Sequence, residues 1–418
     1  MEAKIIKSGS KRITIQLEIE LEDEMLSSEE AIQRGVNQAG LLATQYALSQ
    51  FDTDGSPIQI GEKKYTSKGQ LSKTYQCPFG EFELCRHVYQ SNEGGSTYCP
   101  LDFDARILIF TTPKFARMVS QKYSQVSARH VQRDLEENHN RFISGSYIQD
   151  ISNAVGRVAS AKPWKYTTGI APKDVSSVCF SLDGACMLMR GDGWRQAMAG
   201  SISYYDEKGE RLHTTYLAHA PEYGKERFYQ DFAREIELVK KVYKGKTYVG
   251  VADGAADNWK FLQPFVDVQV LDFFHATEYL SKVSNAVFKS KEAGHEWLKK
   301  SCHIMKHEEG GAKMLLKEMG DLINKKISQS KKEEISKSIT YFSNHMEQMD
   351  YRSCLKKNIP IGSGVIEAAC KVIIKQRMCN SGMKWSDDGA KNILVLRSFN
   401  ETEGKWNQFW SKLSKLGY

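Results

Sequence analysis

Thr247-Tyr-Val-Gly-Val-Ala-Asp-Gly-Ala255 is the stretch on which the fold turns. Its apolar run is short, rich in valine, and stops at an Asp-Gly turn pair, which is the pattern of a buried strand. A second stretch, Cys179-Phe-Ser-Leu-Asp-Gly-Ala185, ends the same way. Val175 to Asp183 reads as a strand, so Asp183 and Asp253 are both expected at strand ends, each followed by Gly-Ala. Two further strands, Gln196–Tyr205 and Arg211–His219, flank the turn Asp206-Glu-Lys-Gly-Glu210. An amphipathic helix over Tyr223–Tyr243 precedes the Asp253 strand. After it come a short helix over Ala256–Phe265, a strand over Val268–Asp272 and a helix over His275–Phe288.

That order, β-β-β-α-β-α-β-α, predicts a mixed five-stranded α/β sheet: an antiparallel meander joined to right-handed crossovers. Strands one and four become neighbours, and Asp183 and Asp253 come to lie side by side. Open α/β sheets build their sites at such strand ends. Taken singly, each Asp-Gly reads first as a turn; two at strand ends in this order point to a site.

Two adjacent carboxylates repel unless a cation lies between them. Oxygen ligands favour Mg²⁺ or Mn²⁺ over zinc. A third acid is needed for a second ion. Glu367, in Ile361-Gly-Ser-Gly-Val-Ile-Glu-Ala-Ala-Cys370, comes after a Gly-rich bend in the first turn of a helix expected over Val365–Met378. A helix-dipole role is the plain alternative for it. Two ions so held activate a water or 3′-hydroxyl for phosphodiester cleavage and strand transfer, with no covalent enzyme nucleophile.

Lys371 and Lys375 stand four and eight residues after Glu367 and share its face on an α-helix. With Arg377, Lys384 and Trp385 they form a candidate DNA-facing surface, Trp385 through base stacking. Surface pairing and core packing are the competing readings. Asp272 and His275 form an Asp-x-x-His pair at the end of the fifth strand, either auxiliary to the site or a structural hydrogen bond. A final helix is expected over Asp387–Phe399, before a tail with Trp406 and Trp410.

Upstream, Ile13–Leu21 alternates as a half-buried strand, and Ser27-x-x-Glu30 predicts a capping box opening a helix to about Phe51. Residues 62–102 read as short strands, among them Glu81–Tyr89. Helical spacing over Phe115–Val126, Ala128–Asn138 and Tyr147–Ala159, with Ser146 as a cap for the last, suits a helix-turn-helix reader or a plain bundle. Tyr147, Gln149 and Arg157 would face DNA in the first case. Residues 290–350 are Lys-rich, polar and helical, and look like an insertion.

Residues 1–280 carry 33 Lys and Arg against 36 Asp and Glu; residues 281–418 carry 25 against 15. The basic excess is therefore confined to the last third, which suits a polyanionic partner. No apolar run approaches the roughly 18 residues of a membrane span, and Met1–Glu24 lacks the features of a secretory leader. Nine cysteines, an odd count without a Cys-x-x-Cys pair, argue against a disulfide framework or a zinc ribbon.

Several motifs, in order and spacing, resemble the insertion-sequence DDE transposases, most closely the bacterial ISKra-type group. They are Pro78-Phe-Gly-Glu, Arg86-His-Val-Tyr, Cys99-Pro-Leu-Asp102, Ser181-Leu-Asp-Gly, Gly193-Trp-Arg, Ala252-Asp-Gly-Ala, Leu271-Asp-Phe-Phe-His-Ala276, Gly362-Ser-Gly-Val-Ile-Glu367 and Arg377-Met-x-x-Ser-Gly-Met-Lys-Trp385. The resemblance covers about Pro78 to Arg397. It implies an RNase H-like core split by a helical insertion between the second Asp and the Glu, with Asp183, Asp253 and Glu367 as the catalytic, Mg²⁺-binding triad. Asp272 and His275 resemble the Cys/Asp-x-x-His element of related transposases.

The organisation expected is an α+β region over 1–110, helix-turn-helix-like helices over 111–170, a core over 171–289, an all-α insertion over 290–355, and the rest of the core over 356–418. The resemblance implies DNA partners (terminal inverted repeats and target DNA), a homodimer or larger assembly on DNA, and a cytoplasmic, nucleoid-associated bacterial protein. A nuclease of the same fold without strand transfer, or a domesticated or inactive DNA-binding derivative, are the rival functions.

Overall fold

The computed structural model describes residues 2–161, 166–324 and 327–416. The chain divides into two compact units. The first holds Met1–Tyr166, Lys391–Leu396 and Lys405–Tyr418; the second holds Thr167–Ala390 and Arg397–Gly404.

The first unit opens with a hairpin, β1 (Glu2–Gly9) and β2 (Arg12–Glu18), and continues into the long helix α1 (Met25–Ser49). The capping box expected at Ser27 is not made. The helix starts at Met25 without a side-chain cap, and Ser28 instead ties back to Glu22, its Oγ accepting from the Glu22 N–H at 2.9 Å. Strands β3 (Ile58–Ile60), β4 (Lys63–Cys77) and β5 (Gly80–Ser91) form an antiparallel sheet. The last two are longer than the short strands expected, because Tyr75, Cys77 and Phe82 bury one face of their hairpin in an apolar core with Leu48 and Leu101. After α2 (Pro100–Asp104) come α3 (Pro113–Gln125), α4 (Ala128–His139) and α5 (Gly145–Ala161), where helical spacing puts them. Phe115, Val119, Val131, Leu135, Ile148, Ile151 and Val155 are their buried faces. Ser144, not Ser146, accepts from the first-turn N–H of Tyr147 at 3.1 Å.

The second unit is built on five strands: β6 (Ser177–Met189), β7 (Gly193–Tyr205), β8 (Arg211–His219), β9 (Thr247–Ala252) and β10 (Val268–Leu271). Their order across the sheet is β10-β9-β6-β7-β8. β6, β7 and β8 are antiparallel, while β9 and β10 run parallel to β6 and to each other. This is the mixed sheet that the element order predicts. Helices α6 (Glu226–Val242), α7 (Ala256–Leu262) and α8 (Phe273–Val287) fall between and after the later strands. Ala197–Tyr205 is buried without alternation, as befits a strand covered on both faces. Phe180, Val249, Val251, Phe232, Leu262 and Leu280 lie in the core around the sheet; each such side chain contributes about 1.5–3 kcal/mol by leaving water.

One strand boundary differs from expectation. β6 does not stop at Asp183 but continues to Met189, paired with β7 as far as Met189↔Gly193. The reason is that β6 has two neighbours of unequal length: its pairing with β9 ends at Ser181↔Val251, while that with β7 carries on. Asp183 is thus at the end of the parallel ladder but in the middle of the antiparallel one.

Next come α9 (Lys291–His307), α10 (Gly311–Leu322), α11 (Gln329–Asn344) and α12 (Tyr351–Lys356), with no strand among the described residues of 290–356. Their buried faces, including Met305, Leu315, Met319, Ile335 and Phe342, belong to the same core as the sheet. The helix expected over Val365–Met378 is interrupted. It runs as α13 (Gly364–Ala369), a π-helical turn over Cys370–Lys375 and α14 (Gln376–Met378). α15 (Asp387–Glu401) and α16 (Lys405–Leu416) close the chain. Among the described residues no helix is long and apolar enough to cross a membrane.

Candidate active site

The two Asp-Gly-Ala sequences meet through the β6–β9 ladder. Carried two residues past its last pair, Ser181↔Val251, the register sets Asp183 beside Asp253. Their glycines serve different ends. Gly184 stays extended, and a Cβ there would collide with the Gln196 side chain at 2.4 Å; Asp183-Gly184 is therefore a strand pair, not a turn. Gly254 has φ +96°, and a Cβ would meet the Tyr341 hydroxyl at 2.9 Å. Here the turn reading holds, and only glycine suits it.

Asp183 is half-buried and accepts from the Gly184 N–H at 2.6 Å. Burial raises its pKa, opposed by that N–H, while the charge of Asp253 raises it further and the Cys370 thiol, hydrogen-bonded to it, lowers it. Asp253 accepts from the Ala255 N–H at 3.1 Å and from Asn258 Nδ2 at 3.2 Å, and its own carbonyl accepts from the Tyr341 hydroxyl at 2.9 Å. The Asp253 charge thus makes ionisation of Asp183 harder, as expected of a pair suited to a cation.

Glu367 arrives by another route. Asp272 caps α8 and is fully buried, at 0% exposure. Its Oδ1 accepts from the His275 N–H at 2.6 Å and lies 3.1 Å from His275 Nδ1. Its Oδ2 accepts from the Ser363 N–H. The neighbouring Phe273 N–H donates to the Ile361 carbonyl at 2.9 Å. The Gly-Ser-Gly bend is thereby stitched to the end of β10, and Ser363 Oγ donates to Glu367 Oε1 at 2.8 Å. His275 Nδ1 is 3.8 Å from the same oxygen. Burial works against protonation of His275, but Asp272 and its hydrogen bond outweigh it, so the His275 pKa is raised.

Ligand atoms of Asp272, His275 and Glu367 lie within 4.8 Å of one another. As a metal cage this is poor, because Asp272 is already engaged by the His275 and Ser363 N–H groups and the His275 ring; it reads as a hydrogen-bond web that orients Glu367. Among the described residues Asp183, Asp253 and Glu367 do not form such a close group. Glu367, 45% exposed at its side chain, is turned toward Ser363 and His275. One turn on lies the buried Cys370, whose thiol is pushed up by burial and by the Asp183 charge.

The other expected residues fall into two groups. Lys371, Lys375, Lys384, Gln149 and Arg157 are exposed or partly so. The π-helical turn alters the spacing that would align both lysines with Glu367. Arg377 is a correction: at 1% exposure it is core, its guanidinium over the Trp385 ring at 4.8 Å and donating to Met383 Sδ at 3.4 Å. Trp385 is half-buried, with Nε1 donating to the Met378 carbonyl at 2.9 Å and the Arg377 guanidinium over its ring. Tyr147 is likewise engaged, its hydroxyl bonded to the Ile109 carbonyl and Thr111. Sequence reading missed Ser363, Cys370, Asn258 and Tyr341. Ser363 alone had a signal, a serine four residues before an acid at a helix start.

No protein-family model matches the chain, and no curated protein does. Among solved structures the chain is similar to a Drosophila P element transposase strand transfer complex, with 8% identity and a TM-score of 0.25 over 72% of this chain and 80% of that one. A score that low fixes neither fold nor activity.

Proposed function

We propose that this chain is a metal-dependent DNA transposase of the DDE type, with an RNase H-like core in its second unit and Asp183, Asp253 and Glu367 as its catalytic carboxylates. The observation that carries the reading is the β6–β9 register, which brings two aspartates 70 positions apart in sequence to one ladder end, with Asp183 raised by burial and by its neighbour's charge. A half-buried acid pair of this kind is satisfied by hard divalent ions, and Mg²⁺ or Mn²⁺ suits its oxygen donors. When bound, the ions would activate a water or 3′-hydroxyl and stabilise the leaving oxygen.

Asp183 and Asp253 would hold the ions through oxygens that the Gly184, Ala255 and Asn258 donors keep oriented. Glu367 would complete the set on release from Ser363. His275, its pKa raised by Asp272, would supply that web with a readily protonated ring beside the phosphate path. Lys371, Lys375 and Lys384 take the flanking DNA backbone, and α3–α5, with Gln149 and Arg157 outward, read the terminal inverted repeats. The ISKra-type motifs and an assembly of two or more copies on DNA belong to the same proposal.

The test is direct. Purified full-length protein is incubated with Mg²⁺ and a duplex carrying the DNA end that flanks its gene. Nicked and joined products are expected. Cutting without joining would reduce the activity to that of a nuclease, and binding with no cutting in Mg²⁺ or Mn²⁺ would overturn the catalytic reading.

A further inference from the structure

The π-helical turn over Cys370–Lys375 begins three residues beyond Glu367. Such turns insert about one extra residue into a helix and cluster at functional sites. The insertion rotates the helix on its N-terminal side against the helix on its C-terminal side by about 100°. Here it separates the turn that carries Glu367 from the buried Arg377. A widened turn holds its carbonyls less well, and two of them have an unusual partner. Arg397, on α15 and 2% exposed, donates from Nε to the Ile373 carbonyl at 2.6 Å and from an Nη to the Val372 carbonyl. Burial lowers its pKa to about 10, so the guanidinium remains charged at neutral pH. Charge-assisted, forked donation of this kind is strong and directional.

We infer that Arg397 is a positioning residue: its buried guanidinium clamps the π-helical turn and so fixes Cys370 near Asp183 and the helical turn that carries Glu367. A neutral or single-headed side chain cannot hold both carbonyls, and the turn would relax toward α-helical spacing, carrying Cys370 off Asp183. The catalytic consequence rests on the function proposed above; the clamp itself does not.

The experiment uses full-length Arg397→Met and Arg397→Lys, with thermal melts identifying which remains folded; Lys keeps the charge but loses the fork. Alkylation of Cys370 under native conditions is read by peptide mass mapping, with Cys179, buried in β6, as control. Cys370 should react at least about tenfold faster while Cys179 stays protected, and cleavage should lose about 10–100-fold in kcat, the usual scale for a supporting residue, with KM for DNA within about twofold. The Lys variant should fall between. Cys370 as protected as in wild type, Cys179 exposed in parallel, or a loss in KM alone would overturn the clamp. If wild type cleaves nothing yet Cys370 is selectively exposed in the variants, the clamp stands and the enzymatic reading falls.

Discussion

Asp183 lies in a ladder and Asp253 directly past the end of one, whereas Glu367 is held by a chain of hydrogen bonds through side chains. The aspartates sit where main-chain register puts them, and a one-residue slip of β6 against β9 would turn every side chain of the strand to the other face. Burial of Val178, Phe180, Val249 and Val251 resists that slip. Glu367 has no ladder. Its place depends on Asp272 gripping Ser363, on Ser363 gripping Glu367, and on the π-helical turn beyond. The ladder gives a fixed pair, and the hydrogen-bond web gives an adjustable third acid, the one that in this structure faces away from the other two.

The comparison predicts unequal consequences. Asp183→Asn and Asp253→Asn should remove the ladder-held ion site outright. Loss of several kcal/mol of Lewis-acid stabilisation corresponds to about 10³-fold or more in cleavage, with DNA binding retained in a gel-shift assay. Glu367→Gln should cut cleavage comparably yet leave one ion bound in a Mn²⁺ titration, against none for the Asp variants. Equal ion loss in all three would erase the distinction between pair and third acid. Asp272→Asn acts only through the web, so a smaller fall, about 10–100-fold in kcat, is expected with both aspartates still binding an ion. An Asp272→Asn protein that cleaves like wild type would show that the web is not what positions Glu367.

The same division explains what is readable from the sequence. The strands of the second unit and their order are legible because buried strands leave apolar runs and Asp-Gly ends, and topology rules then limit the pairings. The extension of β6 past Asp183 is not, since a strand with neighbours of unequal length carries no local mark of where one neighbour stops. The Glu367 side is legible only as a motif. Nothing in Cys370-Lys-Val-Ile-Ile-Lys375 distinguishes a π-helical turn from an α-helix. Arg377 reads as a surface cation until Trp385 and Met383 are seen to cover it. In the first unit, helical spacing locates α3–α5, but it points Tyr147 outward although the hydroxyl is bonded to Ile109 and Thr111. Buried polar partners of this kind arise from tertiary packing and have no signature in spacing.

The smallest expected effect concerns charge alone. Asp183 has its pKa raised in the folded chain, first by burial and then by Asp253. The folded state therefore binds this proton more tightly than the unfolded state does. The stability that goes with it is fully present below the unfolded carboxyl pKa and is lost as pH rises through the folded value. At neutral pH without metal the pair is thus a net strain on the ladder, which Asp183→Asn should relieve; a gain on the order of 1 kcal/mol raises Tm by about 2–4 °C at this domain size. Mg²⁺ should do the same for wild type, increasingly so as pH rises from the carboxyl range to neutrality. At a concentration roughly a hundredfold above Kd the ion contributes about 2.7 kcal/mol, and Asp183→Asn should lose that increment. Melting curves with and without Mg²⁺ across that pH range measure both effects. A Mg²⁺ increment that is flat with pH, or that survives in Asp183→Asn, would mean that the ladder-held pair is not where the ion binds.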